Sequence, residues 1–138
     1  MKLIMNLETT HLLEELLKKT ACSGVELSSG ILQVIFEDRR LVVQSAWRLI
    51  SNAEIAIASD SEEDKTGIAS VLLSNQSVVT ASVGTLFNDL KINFGDEVIL
   101  ETFADSEKYE NWYFAGGPQE MIVAGPGKLW SCFEAPKT

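Results

Sequence analysis

The chain has one histidine, His11, so any serine- or cysteine-centred triad would depend on that imidazole alone. It falls at the start of a predicted helix, where a polar helix-end residue is the simpler reading. Cys22 and Cys132 stand 110 positions apart, outside any CxxC pair, and with a lone histidine they cannot complete a structural zinc site of four cysteine and histidine ligands. They read as buried thiols. The run Asp60, Glu62, Glu63, Asp64 offers oxygen ligands but lacks the DxDxDG spacing that wraps several of them around one cation. A solvated helix entrance accounts for it. Glu101, Asp105, Glu107 and Glu110 surround Tyr109 and Trp112, and two carboxylates at a suitable separation could act as acid and base in sugar hydrolysis. Gly127-Lys128 looks like the end of a phosphate-binding loop, but Ile122 stands where GxxxxGK requires glycine and Leu129 replaces the metal-binding Ser or Thr. A Gly-Pro-Gly turn explains it better. Trp47 and Arg48 read as structural: a core anchor, and a cation whose fork ties to a carboxylate of the second half, with Glu110 as the expected partner. No cofactor and no metal is expected.

The composition narrows the field further. Across 138 residues, 20 acidic side chains face 11 basic ones, giving a net charge of −9, while 46% apolar residues suffice to fill one core. Disorder is not expected. So acidic a chain cannot supply the phosphate contacts that dominate nucleic-acid affinity, and an anionic membrane surface repels it. The N-terminal apolar run is broken by Asn6 and Glu8, and nowhere do about 18 apolar residues follow one another, so neither a signal peptide nor a spanning helix is expected. The expected location is cytoplasmic.

Charge and aromatics are unevenly shared. Residues 1–58 hold 7 acids and 6 bases, whereas residues 59–138 hold 13 acids, 5 bases and nine of the eleven aromatic side chains. The stretch 101–114 concentrates both, which makes Glu101, Asp105, Glu107, Tyr109, Glu110 and Trp112 the candidate partner-binding residues.

The elements that would position them come from a repeat. Leu32-Gln33-Val34-Ile35-Phe36-Glu37-Asp38 matches Leu90-Lys91-Ile92-Asn93-Phe94-Gly95-Asp96 at an offset of 58, which also pairs Val25 with Val83 and Val42 with Leu100. Alternation places Leu32, Val34 and Phe36 on one strand face, and Leu90, Ile92 and Phe94 on another. A helix is predicted before each hairpin. One covers 8–19, with Leu12, Leu13, Leu16 and Leu17 inward; the other covers about 61–74, opens at Ser61-Glu62-Glu63-Asp64 and turns Ile68, Val71 and Leu72 inward. Further strands are expected over 45–50, 54–58, 111–115, 120–124 and 128–133, separated by glycine- and proline-containing turns. The expected fold is therefore α+β: a single domain, 1–138, of two similar halves, 1–58 and 59–138, each a helix followed by an antiparallel hairpin or meander.

The succession of hairpin, Trp47-Arg48-Leu49, second hairpin, Tyr109-Glu110-Asn111-Trp112 and a glycine turn before Leu129-Trp130 resembles a family of uncharacterised small bacterial proteins with a WRL signature and a YE-x-W signature. The resemblance spans nearly the whole chain. It implies no activity and no catalytic residues; by analogy, small acidic bacterial proteins of this type resemble immunity proteins against delivered toxins. The functional expectation is a non-enzymatic acidic protein that masks a basic surface of a toxin or other protein. The alternatives are a small carboxylate-dependent hydrolase, metal-assisted or not, and a small-ligand-binding or structural protein. Free strand edges make a homodimer a further expectation.

Overall fold

In the computed structural model the described residues are 2–4, 14, 15, 17, 21–37, 39–62, 64–84, 89–95, 97–103, 111–115, 120–124 and 129–134. Twelve strands carry the chain: β1 (Lys2–Ile4), β2 (Gly24–Ser28), β3 (Ile31–Phe36), β4 (Arg39–Val43), β5 (Ala46–Ser51), β6 (Glu54–Ala58), β7 (Val78–Val83), β8 (Leu90–Phe94), β9 (Val98–Phe103), β10 (Trp112–Ala115), β11 (Glu120–Ala124) and β12 (Leu129–Glu134). A helix, α1 (Lys65–Leu73), separates β6 from β7.

The strands form two antiparallel sheets, a seven-stranded one in the order β1-β12-β11-β10-β4-β3-β2 and a five-stranded one in the order β6-β5-β9-β8-β7. The expected α+β architecture with a helix in each half is thereby corrected to a mostly antiparallel β fold. Of the helix expected over 8–19, only Glu14, Glu15 and Leu17 are described, in helical conformation. Residues 24–28 and 78–83, for which the sequence reading has no strand, add edge strands to the two sheets. The β-branched run Val78-Val79-Thr80 and the alternation of Val25 and Leu27 with polar neighbours are the local cause.

The halves also do not fold separately. The meander β2-β3-β4 is extended by β10 from the second half, which pairs with β4, and the meander β7-β8-β9 is extended by β5 from the first half, which pairs with β9. Each sheet therefore contains strands of both halves. The chain crosses between sheets at 44–45 and again at 104–111.

Register shows how far the offset of 58 reaches. Val34 faces Leu41 on β4, and Ile92 faces Leu100 on β9. Leu100 thus corresponds to Leu41, not Val42, because the turn at Gly95–Glu97 is one residue longer than that at Glu37–Asp38. On the other side, Ala81 faces Ile92 as Val25 faces Val34, so the match of Val25 with Val83 is also displaced. The offset holds for β3 and β8 alone.

Alternation delivers the core. Leu32, Val34, Phe36, Leu90, Ile92 and Phe94 are buried and belong to one cluster with Trp47, Leu49, Leu100, Trp112 and Phe114. Phe36 and Phe94, one from each sheet, lie parallel, with ring centroids 6.5 Å apart and an interplanar angle of 3°. That stack fastens the sheets face to face.

Helix α1 starts later than the acidic run suggests, because the N-cap is Asp64, whose carboxylate accepts a hydrogen bond from the Gly67 amide at 3.1 Å. A Cβ at position 67 would land on Asp64 Oδ2, so glycine is what lets the cap close. The helix packs on β2 and reaches β6, burying Ala69 and Leu73 with Ile68 and Leu72 partly covered. Val71, expected inward, is 83% exposed because it lies on the opposite side of the helix from the buried Ala69 and Leu73.

The β5–β6 connection is a two-residue turn in which Asn52 (φ 52°) and Ala53 (φ 64°) are both left-handed, the geometry that matches the twist of flanking strands. Asparagine tolerates it and alanine does not. Ala53→Gly is expected to raise unfolding free energy by about 1 kcal/mol in urea titrations, since an L side chain at such φ costs that much; a loss of stability would contradict this conformation.

Candidate functional site

The end of the molecule where the chain changes sheet is held by backbone. Asn111, fully buried, offers its carbonyl to the amides of Gln44 at 2.9 Å and Ser45 at 3.0 Å, so the two crossings are tied together at that point. Beside them Ser59 donates its amide to the Trp47 carbonyl at 2.9 Å, and Gly84 donates to the Asp89 carbonyl at 2.8 Å. The residues bringing the chain to and from this end include Asp60, Glu62 and Asp89, all exposed. Phe103 and Asn111 bracket the segment that carries Asp105, Glu107, Tyr109 and Glu110, and those four candidates lie outside the described residues.

The two described candidates separate. Trp112 is fully buried, opposite Val43 on β4, and presents no surface to a partner; its placement corrects the expectation that it belongs to a binding face. Alternation in the short β10 explains this, since Trp112 and Phe114 share its buried face while Tyr113 and Ala115 are partly exposed. Glu101 sits on the outward face of β9, in the middle of the five-stranded sheet. Its register neighbours are Arg48 on β5 and Lys91 on β8, so a carboxylate lies between two cations.

Arg48 reaches Glu101 with Nη2 at 3.4 Å from Oε1 and 3.3 Å from Oε2, and its guanidinium carbon stands 5.0 Å from the centroid of the Phe103 ring. The structural role expected for Arg48 thus involves a second-half carboxylate, but that carboxylate is Glu101 rather than Glu110. Direct opposition across β5 and β9 brings them together. The sequence held a signal for this: Ile99, Glu101 and Phe103 alternate with the buried Val98, Leu100 and Thr102.

With 37% and 23% side-chain exposure the pair is partly screened by solvent. Arg48→Ala is expected to cost about 1 kcal/mol, combining a weak ion pair with a cation–π contact, and to lower the melting temperature by roughly 3–5 °C. An unchanged melting temperature would show that neither contact contributes.

Trp47, the other structural residue, is 1% exposed and faces Thr102. Its indole Nε1, the Ser45 hydroxyl and Arg48 Nε are buried without a hydrogen-bond partner among the described residues, so the entry to β5 carries a desolvation cost as well as an anchor.

Cys22 is a free, buried thiol whose Sγ donates to the Gly24 carbonyl at 3.3 Å. Burial pushes its pKa above the ordinary thiol range, against a smaller opposing effect of its hydrogen bonding to Gly24 and Ile35. The folded state holds this proton more tightly than the unfolded one, so the associated stability is present at neutral pH and is lost as pH rises past the ordinary thiol pKa. In a Cys132→Ser chain, Cys22 should react with a thiol reagent at pH about 8 only as fast as the protein opens. Rapid modification without unfolding would contradict its burial.

Among the described residues no group of three or more His, Cys, Asp or Glu side chains is placed to hold a metal ion, and no helix is long and apolar enough to cross a membrane. His11 lies outside the described residues. Of the acidic run, Asp60 and Glu62 are solvated and Asp64 caps α1; Glu63 is not described.

No family model matches the chain, and neither the curated proteins nor the solved structures contain a significant match to it.

Proposed function

We propose that the chain is a non-enzymatic binding protein that captures a basic protein, in the manner of an immunity-type inhibitor masking the cationic surface of a toxin. The observation that carries this reading is the coincidence of charge with architecture. The segment bearing Asp105, Glu107 and Glu110 is a sheet-to-sheet crossing, anchored at one end by the buried Asn111 and Trp112, and exposed Asp60, Glu62 and Asp89 belong to connections at the same end. A field of one sign on a rigid support speeds encounter with the opposite sign and excludes like-charged competitors. In this reading Trp112 contributes by anchoring the strand that follows the crossing, Tyr109 supplies an aromatic contact, and Glu101 braces the neighbouring strand through Arg48. The reading takes the chain to act in the cytoplasm.

Affinity capture with the purified chain tests it. The wild type should retain one basic protein, and a chain carrying Asp105→Lys, Glu107→Lys and Glu110→Lys should lose it. Absence of a partner, or equal retention by both chains, would overturn the proposal.

A further inference from the structure

Strand β6 ends the five-stranded sheet, and between it and α1 runs an open groove of about 490 Å³ lined by Ser51, Ala56, Asp64, Ile68, Val71 and Leu72. Two observations mark this groove. Three large hydrophobic side chains stand exposed among the described residues, Ile55 at 60%, Val71 at 83% and Val79 at 55%; Val71 lines the groove, while Ile55 lies on β6 opposite Ile50, outside the groove's lining but on the strand that borders it. Monomeric surfaces seldom gather exposed apolar groups without a use for them.

The second observation concerns the strand edge. At the opposite border of the same sheet, the Ala81 amide of β7 donates to Glu14 Oε1 at 3.2 Å, so that edge is guarded by a side chain. On β6, among the described residues, only the terminal Ala58 amide is met in this way, by Ser61 Oγ at 3.0 Å. The stretch Glu54–Ile57 has no strand beyond it among the described residues. An open edge is a template for a further strand.

Charge selects the occupant. Glu54, Asp60, Glu62 and Asp64 are exposed around the groove and the strand, while the nearby cation, Lys65, directs its Nζ to the Ser59 carbonyl at 3.1 Å. A second copy of a chain with net charge −9 would bring like charge to like.

We infer that the groove between α1 and β6 docks an extended basic segment of a partner protein, which pairs with Glu54–Ile57 as a sixth strand. Its apolar side chains enter between Ile68, Val71 and Leu72, and its alternate cationic side chains meet the acidic rim. The inference rests on the basic-partner reading only for the sign of the occupant's charge.

The probe is a short, end-blocked synthetic peptide of alternating lysine and valine, titrated into the labelled full chain by NMR. Saturable binding is expected, with shifts confined to residues 54–58 and 64–72. Ile55→Lys and Val71→Lys, both at exposed positions and checked for an unchanged melt, should each weaken it by about tenfold or more. The chain with Asp105, Glu107 and Glu110 reversed should still bind the peptide saturably, with shifts at the same residues, since the described lining of the groove does not include them. Peptide binding that survives alongside failed partner capture would uphold the groove and reject the crossing segment. Unsaturable binding, shifts elsewhere, or a two-chain species in sedimentation that Ile55→Lys dissociates would overturn the inference.

Discussion

Trp112→Ala is expected to remove about 3–5 kcal/mol of unfolding free energy, the range for deleting a buried aromatic side chain. The side chain is fully buried and belongs to the strand that fastens the second half of the chain to the first-half meander. Truncation would leave a cavity at the junction of β10 with β4, next to the bonds that hold Asn111 against Gln44 and Ser45. A domain of this size has only about 5–15 kcal/mol to lose, so the variant should be partly unfolded at growth temperature. Urea unfolding followed by far-UV circular dichroism measures the loss; a change below about 1 kcal/mol would mean that β10 does not sit as described. Trp47 offers an internal contrast. Trp47→Ala should cost as much, but Trp47→Phe should cost far less than its lost volume suggests, because it also removes a buried indole N–H that has no acceptor.

The second large effect concerns the contact between the sheets. Phe36→Ala and Phe94→Ala should each destabilise by about 3–4 kcal/mol, since both rings are buried. The double variant should lose less than the two changes added, by about 0.5–1.5 kcal/mol, because the parallel rings touch each other across the core. Additive losses would mean that the rings are not partners, and the face-to-face arrangement of the sheets would lose its central contact.

Local pattern is legible in the sequence where one strand face is apolar and the other is not. Leu32, Val34, Phe36 and Leu90, Ile92, Phe94 are buried as their alternation requires, and the strand runs near 45–50, 54–58, 111–115, 120–124 and 128–133 correspond to β5, β6, β10, β11 and β12. What the pattern does not carry is partnership. Alternation says which side of a strand is covered, not which strand lies beside it, so it leaves β5 with its own half although its neighbour on one side is β9. The offset of 58 fails for a related reason. Spacing in sequence tracks register only while connections keep their length, and the one-residue difference between the turns shifts β9 relative to β4.

The candidate site divides along the same line. Glu101 and Trp112 are eleven positions apart in one acidic, aromatic stretch, yet they lie in different sheets, one tied outward to Arg48 and the other buried. An aromatic residue at a strand start reads equally well as an interface anchor or as core, and only its cross-strand neighbour Val43 decides between them. Asn111 is legible as a strand end; its role in tying two crossings together depends on a contact 66 residues away along the chain.

The most direct test of the binding account is calorimetric titration of the captured partner with this chain across a range of salt. A one-to-one complex is expected, with an affinity that falls steeply between about 0.05 and 0.5 M salt, as charge attraction is screened, and drops by about 100-fold when Asp105, Glu107 and Glu110 are changed to lysine. An affinity indifferent to salt and to those three substitutions would contradict it.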